Sequence, residues 1–218
     1  MSITKSTLTL KRIIITIALF ALIPILFPFL NQILDSKTIT YTVLVNVIGC
    51  IVFIYDYDLL ALHYNRVKKN AKESLIYFLV GLVFYSVLFF INEYFLHGYL
   101  PHVNPHYVKS YIFGAPFMYL AYTYTFAILT SICYKSLTDH LSIKDKEFVV
   151  ILFSGLLFGL LYTVAFVPFS KDMWIASYIL ISIQVGYLSY SYNQTTSFLP
   201  GAIAMGTVLL AYNLMLLF

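Results

Sequence analysis

The chain has 218 residues, of which 61% belong to the AVILMFWYC set and 10% are charged, with a formal net charge of +4 and a mean hydropathy of +0.88. A soluble domain carries roughly 45–50% apolar and about 25% charged residues. A water-soluble globule of this size could not hide so much apolar surface, so lipid must be the solvent, which excludes a cytosolic enzyme, a disordered tail and a disulfide-stapled secreted domain.

Seven apolar stretches follow in chain order, at about 11–30, 39–62, 75–97, 111–134, 148–168, 173–192 and 198–218. Each is near the ~20 residues that cross a bilayer core. The first is too long for the apolar part of a signal peptide, and no small-x-small cleavage site follows it. Interior Gly, Pro and Ser are tolerated in lipid-embedded helices. The expected fold is all-α, a polytopic transmembrane bundle of about seven spans. It forms a single integral membrane domain over 1–218, with three spans in 1–110 and the remainder in 111–218. Cys50 and Cys133 lie in apolar stretches and read as reduced, buried small hydrophobes.

Basic residues orient the bundle. The N-terminus, the second-to-third and the fourth-to-fifth connections hold ten Lys and Arg between them, whereas the opposite side holds three, Lys37, Lys109 and Lys171. This asymmetry places the N-terminus in the cytoplasm. The cluster from Arg66 to Lys72 touches that surface and suffices for contact with anionic lipid. Nothing calls for nucleic acid as a partner.

Polar groups within a membrane are expensive and hence candidates for function. Asp56 and Asp58, near the cytoplasmic end of the second stretch, are two apart and so point to different helix faces; they are expected to reach water or Arg66. Glu93 and His97, four apart, share a face at the outer end of the third stretch, and His102 and His106 follow. These are suitable types for a zinc set. Pro101 and Pro105, however, make the segment a turn or extended stretch. It reads foremost as a solvated or partner-contacting loop, with metal binding the lesser reading and no cofactor expected. Tyr99 and Tyr107 in this loop suit a partner interface, because aromatics anchor protein contacts.

One string, Ser154 through Tyr162, resembles the second motif of the CPBP membrane family (CAAX protease and bacteriocin-processing, or Abi), usually Ser-x-x-x-Phe-Gly-x-x-His. Ser154, Phe158 and Gly159 match, and Tyr162 stands in the His position. The family's first motif, Glu-Glu-x-x-x-Arg, corresponds to Thr130, Ser131 and Lys135, with Tyr134 and Ser136 fitting around the last. The third motif, His-x-x-x-Asn after a Ser-rich turn and a Pro-containing helix start, corresponds to the segment beginning Ser197, Phe198, Leu199, Pro200 and Gly201. Met205 and Leu209 then take the His and Asn positions, and Asn213 could serve only with a gap. The resemblance covers residue 111 to the end. It implies a bacterial plasma-membrane protein, an origin that the richness in Ile, Phe, Tyr, Lys and Asn also suits.

Peptidases of that family are thought to activate water with Glu, assisted by His. Thr130, Ser131, Tyr162 and Met205 cannot supply a base that accepts a proton near neutral pH. The resemblance therefore implies a pseudo-protease that keeps a helical cavity lined by Thr130, Ser131, Tyr134, Lys135, Ser154 and Tyr162. The leading expectation is a non-catalytic scaffold or regulator. It would bind membrane lipid and position a membrane or cell-envelope enzyme, one of peptidoglycan chemistry included. The alternatives are a bacteriocin self-immunity protein, a transporter or lipid-handling protein, and a CPBP-type intramembrane protease.

Overall fold

A computed structural model describes residues 9–95, 147–166 and 171–215. These residues form seven helices and, among the described residues, no strand. Helix α1, Leu10–Leu34, opens on Thr9, whose hydroxyl accepts from the Arg12 N–H, and closes on Asp35 in the left-handed region. Ser36 then caps α2, Lys37–Tyr55, by accepting from the Ile39 N–H. This two-residue turn folds α1 and α2 into an antiparallel pair. Helix α3, Tyr57–Lys69, departs from the end of α2 at 80°. After Asn70 comes α4, Ala71–Phe95. The rest comprises α5, Glu147–Phe166, α6, Lys171–Thr195, and α7, Leu199–Met215.

Residues 14–34 of α1 and 71–94 of α4 are long and apolar enough to cross a membrane, and the bent α2–α3 pair adds a third if taken as one span. The chain is thus helical and has membrane-span character. The stretch 39–62 is not one straight span, because the helix stops at Tyr55. The physical reason is a change of pattern. From Tyr57 onward the residues segregate, with Leu59 and His63 buried and Asp58, Asn65, Lys68 and Lys69 exposed, as in a helix half in contact with water.

Helix α4 packs against α6 and α7. Gly81 lets α4 approach Ala204 and the Tyr187 ring. The Tyr187 hydroxyl donates to the Tyr77 carbonyl at 2.7 Å, and the Tyr85 hydroxyl donates to the Gln184 carbonyl at 3.2 Å. Phe84 stacks on Tyr187 with centroids 4.6 Å apart. Each tyrosine therefore supplies apolar area and closes its own polar end. Ile25, Phe29 and Ile33 on α1, Val83 and Val87 on α4, and Val164 on α5 face outward, as suits lipid. Cys50 is exposed, contrary to the buried place expected from its apolar neighbours. It shares an outward apolar stripe of α2 with Val47, Ile51 and Ile54, so its apolar surroundings in sequence reflect lipid rather than protein. Cys133 lies outside the described residues.

Among the described residues, the most extensive pairing is α5 against α6. Gly155 and Gly159, one turn apart, lie against Ser182, and Gly155 approaches Gly186. This is the small-x-x-x-small approach by which helices associate in lipid. A Cβ on Gly155 would sit 2.8 Å from the Ser182 carbonyl oxygen, whereas one on Gly186 would meet nothing within 4 Å. Gly155→Ala should therefore destabilise by about 1–3 kcal/mol. Gly186→Ala should cost nothing and could gain up to about 1 kcal/mol by removing a helical glycine. Thermal unfolding of both variants in one detergent would check the contrast, and equal shifts would refute it.

Candidate functional site

The strongest polar constellation among the described residues joins the start of α1 to the α2–α3 break. Arg12 Nε donates to Asp56 Oδ1 at 2.5 Å, and Nη1 donates to Asp58 Oδ2 at 2.9 Å. Nη2 donates to both Asp58 Oδ1 and the Tyr55 carbonyl, the latter at 2.7 Å. Thr16, one turn after Arg12, donates its hydroxyl to Asp56 Oδ2 at 2.9 Å. The guanidinium also lies 5.5 Å from the centroid of the Tyr55 ring. A single Arg side chain thus satisfies a carboxylate that is 1% exposed, grips a second bidentately and caps a carbonyl at the end of α2. The Asp58 hydrogen bond, opposed by burial and reinforced by Asp56, raises the Arg12 pKa. In turn, Arg12 lowers that of Asp58 below its ordinary value of 3.8.

Asp56 and Asp58 were expected to point to different faces and to reach water or Arg66. The 80° break instead brings both to Arg12, Asp56 buried and Asp58 half-exposed and so in reach of water as expected. Arg66 faces elsewhere, with Nη1 donating to the Thr196 carbonyl at 2.8 Å. The Ser197 hydroxyl donates to the His63 carbonyl at 3.2 Å, and the fully buried His63 ring lies 4.3 Å from Phe198. Helix α3 is therefore pinned at its start to α1 and over its second half to the turn between α6 and α7. The sequence held one signal for the first pin: Arg12 and Thr16 are four apart on one helix face.

The motif positions divide. Thr130, Ser131 and Lys135, with Tyr134 and Ser136, lie outside the described residues. Phe158 and Tyr162 fall on α5, one turn apart, and the expectations for their side chains lie outside the described part. Ser154 is buried on α5. On α7, Met205 is 3% exposed within the core, and Leu209 packs against that core. Tyr99, Tyr107, His97, His102 and His106 lie outside the described residues, whereas Glu93 is exposed near the end of α4. Among the described residues, no group of three or more His, Cys, Asp or Glu could hold a metal ion.

An apolar groove of about 260 Å³ runs along the α5–α6 pair. Phe148, Leu152, Gly155, Tyr178, Ser182 and Gly186 are among its lining residues. Such a surface offers van der Waals contact to an apolar chain or helix, and among the described residues its lining holds no His, Asp or Glu.

No protein-family model matches the chain, and neither a curated protein nor a solved structure matches it significantly.

Removing the guanidinium while keeping polarity tests the Arg12 clasp. Arg12→Gln leaves Asp56 buried with its charge uncompensated, so the expected loss is about 3–5 kcal/mol. Asp58→Asn removes a half-exposed partner and should cost at most about 1 kcal/mol. Urea or thermal unfolding in detergent would rank the two, and equal losses would refute the asymmetry. The Asp58 pKa is depressed in the folded state, so its contribution is full above the ordinary value of 3.8 and fades as pH falls through the lower folded value.

Proposed function

We propose that the chain is a non-catalytic, multi-pass membrane protein that binds and positions a membrane or cell-envelope protein as a scaffold or regulator, on a helical frame akin to that of CPBP peptidases. The observation that carries this reading is the use made of the third-motif helix and its neighbours. Met205, in the position of a catalytic His, is core packing. Gly155 and Gly159, beside the second-motif Ser154, are occupied by the close approach of α6. A general base needs a group that titrates near neutral pH and reaches a water, and a thioether packed among apolar side chains does neither. The α5–α6 groove adds an apolar surface suited to an embedded helix.

This reading includes about seven spans, a cytoplasmic N-terminus and a bacterial plasma membrane. Its topology is tested with a membrane-impermeant thiol reagent on intact cells, in a background with Cys50→Ser and Cys133→Ser. The reagent should label His102→Cys and spare Lys69→Cys. The reverse pattern would overturn the orientation.

The partner is expected to dock on the connection that holds Tyr99 and Tyr107. Its prolines reduce the freedom lost on binding, and its aromatics suit an anchor. Affinity purification from native membranes in mild detergent should recover one stoichiometric envelope protein. Tyr99→Ala with Tyr107→Ala should lower its capture tenfold or more, about 1–2 kcal/mol per anchor. Capture at wild-type yield would remove this loop as the docking site, and absence of any stoichiometric protein would count against the scaffold.

A further inference from the structure

We infer that α3 and the first turn of α4 form an in-plane docking surface for the anionic phospholipid headgroups of the bilayer that holds the chain, with Lys68, Lys69 and Lys72 as the contacting cations. The inference rests on the membrane reading of the chain, but on neither its sidedness nor its partner.

Connectivity fixes the level of α3. Arg12 at the start of α1 meets Asp56 at the end of α2, so the antiparallel pair brings both helix ends to one side. Beyond Arg12, α1 is apolar enough to cross from Ile14. On the other flank, the apolar run of α4 starts at Ala71, two residues after α3 ends. Helix α3 therefore lies between two apolar segments, at the boundary where both begin. Its 13 residues extend about 20 Å. The 80° bend from α2 turns that length toward the membrane plane.

Its faces are sorted accordingly. Leu59 and His63, four apart, are buried against the bundle, while Tyr57 and Tyr64 are exposed at 72% and 55%. The Lys68 ammonium lies 4.7 Å from the centroid of the Tyr64 ring. An exposed Tyr beside Lys is the pairing that sits at headgroup level, with the ring toward the acyl boundary and the cation toward phosphate. Lys69 and Lys72 are also exposed. Among the described residues, none of the three lysines forms a salt bridge, and the acidic residues of α3 and of the first turn of α4 are Asp58, already held by Arg12, and the exposed Glu73.

The basic run in the sequence thus splits in two. Arg66 turns inward to the Thr196 carbonyl, leaving the lysines to face outward. Charge complementarity selects the occupant: a fixed row of cations at headgroup level fits an anionic lipid surface, and each lysine near such a surface is worth about a fivefold preference.

The test uses the full chain with Trp174→Phe and Tyr64→Trp, reconstituted in vesicles of phosphatidylcholine and phosphatidylglycerol. One lipid at a time is brominated near the headgroup end of its acyl chains. The new indole should be quenched several-fold more effectively by the brominated anionic lipid. High salt should erase that preference, as should Lys68→Gln with Lys69→Gln and Lys72→Gln, whereas the three Lys→Arg changes should keep it. Inorganic phosphate at millimolar level should not displace the lipid, which separates a headgroup surface from a free-phosphate site. In the unsubstituted chain Trp174, near the opposite end of α6, should show no preference. Equal quenching by both lipids would overturn the proposal while leaving the membrane reading intact. Absence of quenching by either would overturn both.

Discussion

The guanidinium of Arg12 is the interaction on which the geometry of one whole end of the molecule depends. A helix that stops within an apolar stretch leaves carbonyls without partners, and where water is scarce each such group is costly. Arg12 resolves this at the α2–α3 break by donating to the Tyr55 carbonyl while neutralising Asp56 and gripping Asp58. Without it, the 80° turn would place a buried carboxylate and an open helix end side by side. With it, the chain leaves α2 and runs across the end of the bundle. The same residue fixes the antiparallel register of α1 and α2, because their ends must coincide for the contact to form.

Away from that end, cohesion rests on close approach. Lipid is as apolar as leucine, so burial of apolar side chains gives little drive for one helix to prefer another over lipid. The contacts of α5 with α6 and of α4 with α7 use glycine where backbones meet. The contact of α4 with α6 uses tyrosine hydroxyls aimed at carbonyls. Both devices give a helix something that lipid cannot offer, shape in one case and a hydrogen-bond donor in the other. Among the described residues, most Ile and Val side chains are turned outward.

This division explains what the sequence made legible. Helical structure and membrane-span character follow from composition, because each apolar run must satisfy its own backbone. The close approach at Gly155 and Gly159 came from the structure, where both face Ser182. The break at Asp56 was not legible, because apolar residues continue on both sides of it and the stabilising Arg12 lies 44 positions away. The exposure of Cys50 was missed for a related reason: apolar neighbours in sequence mean burial in a soluble core, whereas in a membrane they mark an outward stripe equally well. Asp56 and Asp58 were assigned to separate faces on the premise of a continuous helix, and the premise failed with the helix.

The resemblance on α5 is best weighed by asking what each matched residue must do physically. Ser154 is buried, and Gly159 allows the approach of Ser182. A small residue at such a point is required of any tightly packed helix pair, whether or not a catalytic site lies nearby. The matched residues are therefore what ordinary helix packing asks for, with or without the family. Discrimination falls on the positions where the family's chemistry calls for an acid or base, namely 130, 131, 162 and 205. At each, this chain carries a group that cannot exchange a proton near neutral pH. At position 205, the side chain is also sealed within the core. A catalytic frame that loses its acids and bases keeps its helix contacts, because those contacts never depended on the chemistry. Contact by shape, along an apolar groove such as that of α5 and α6, needs none of those groups.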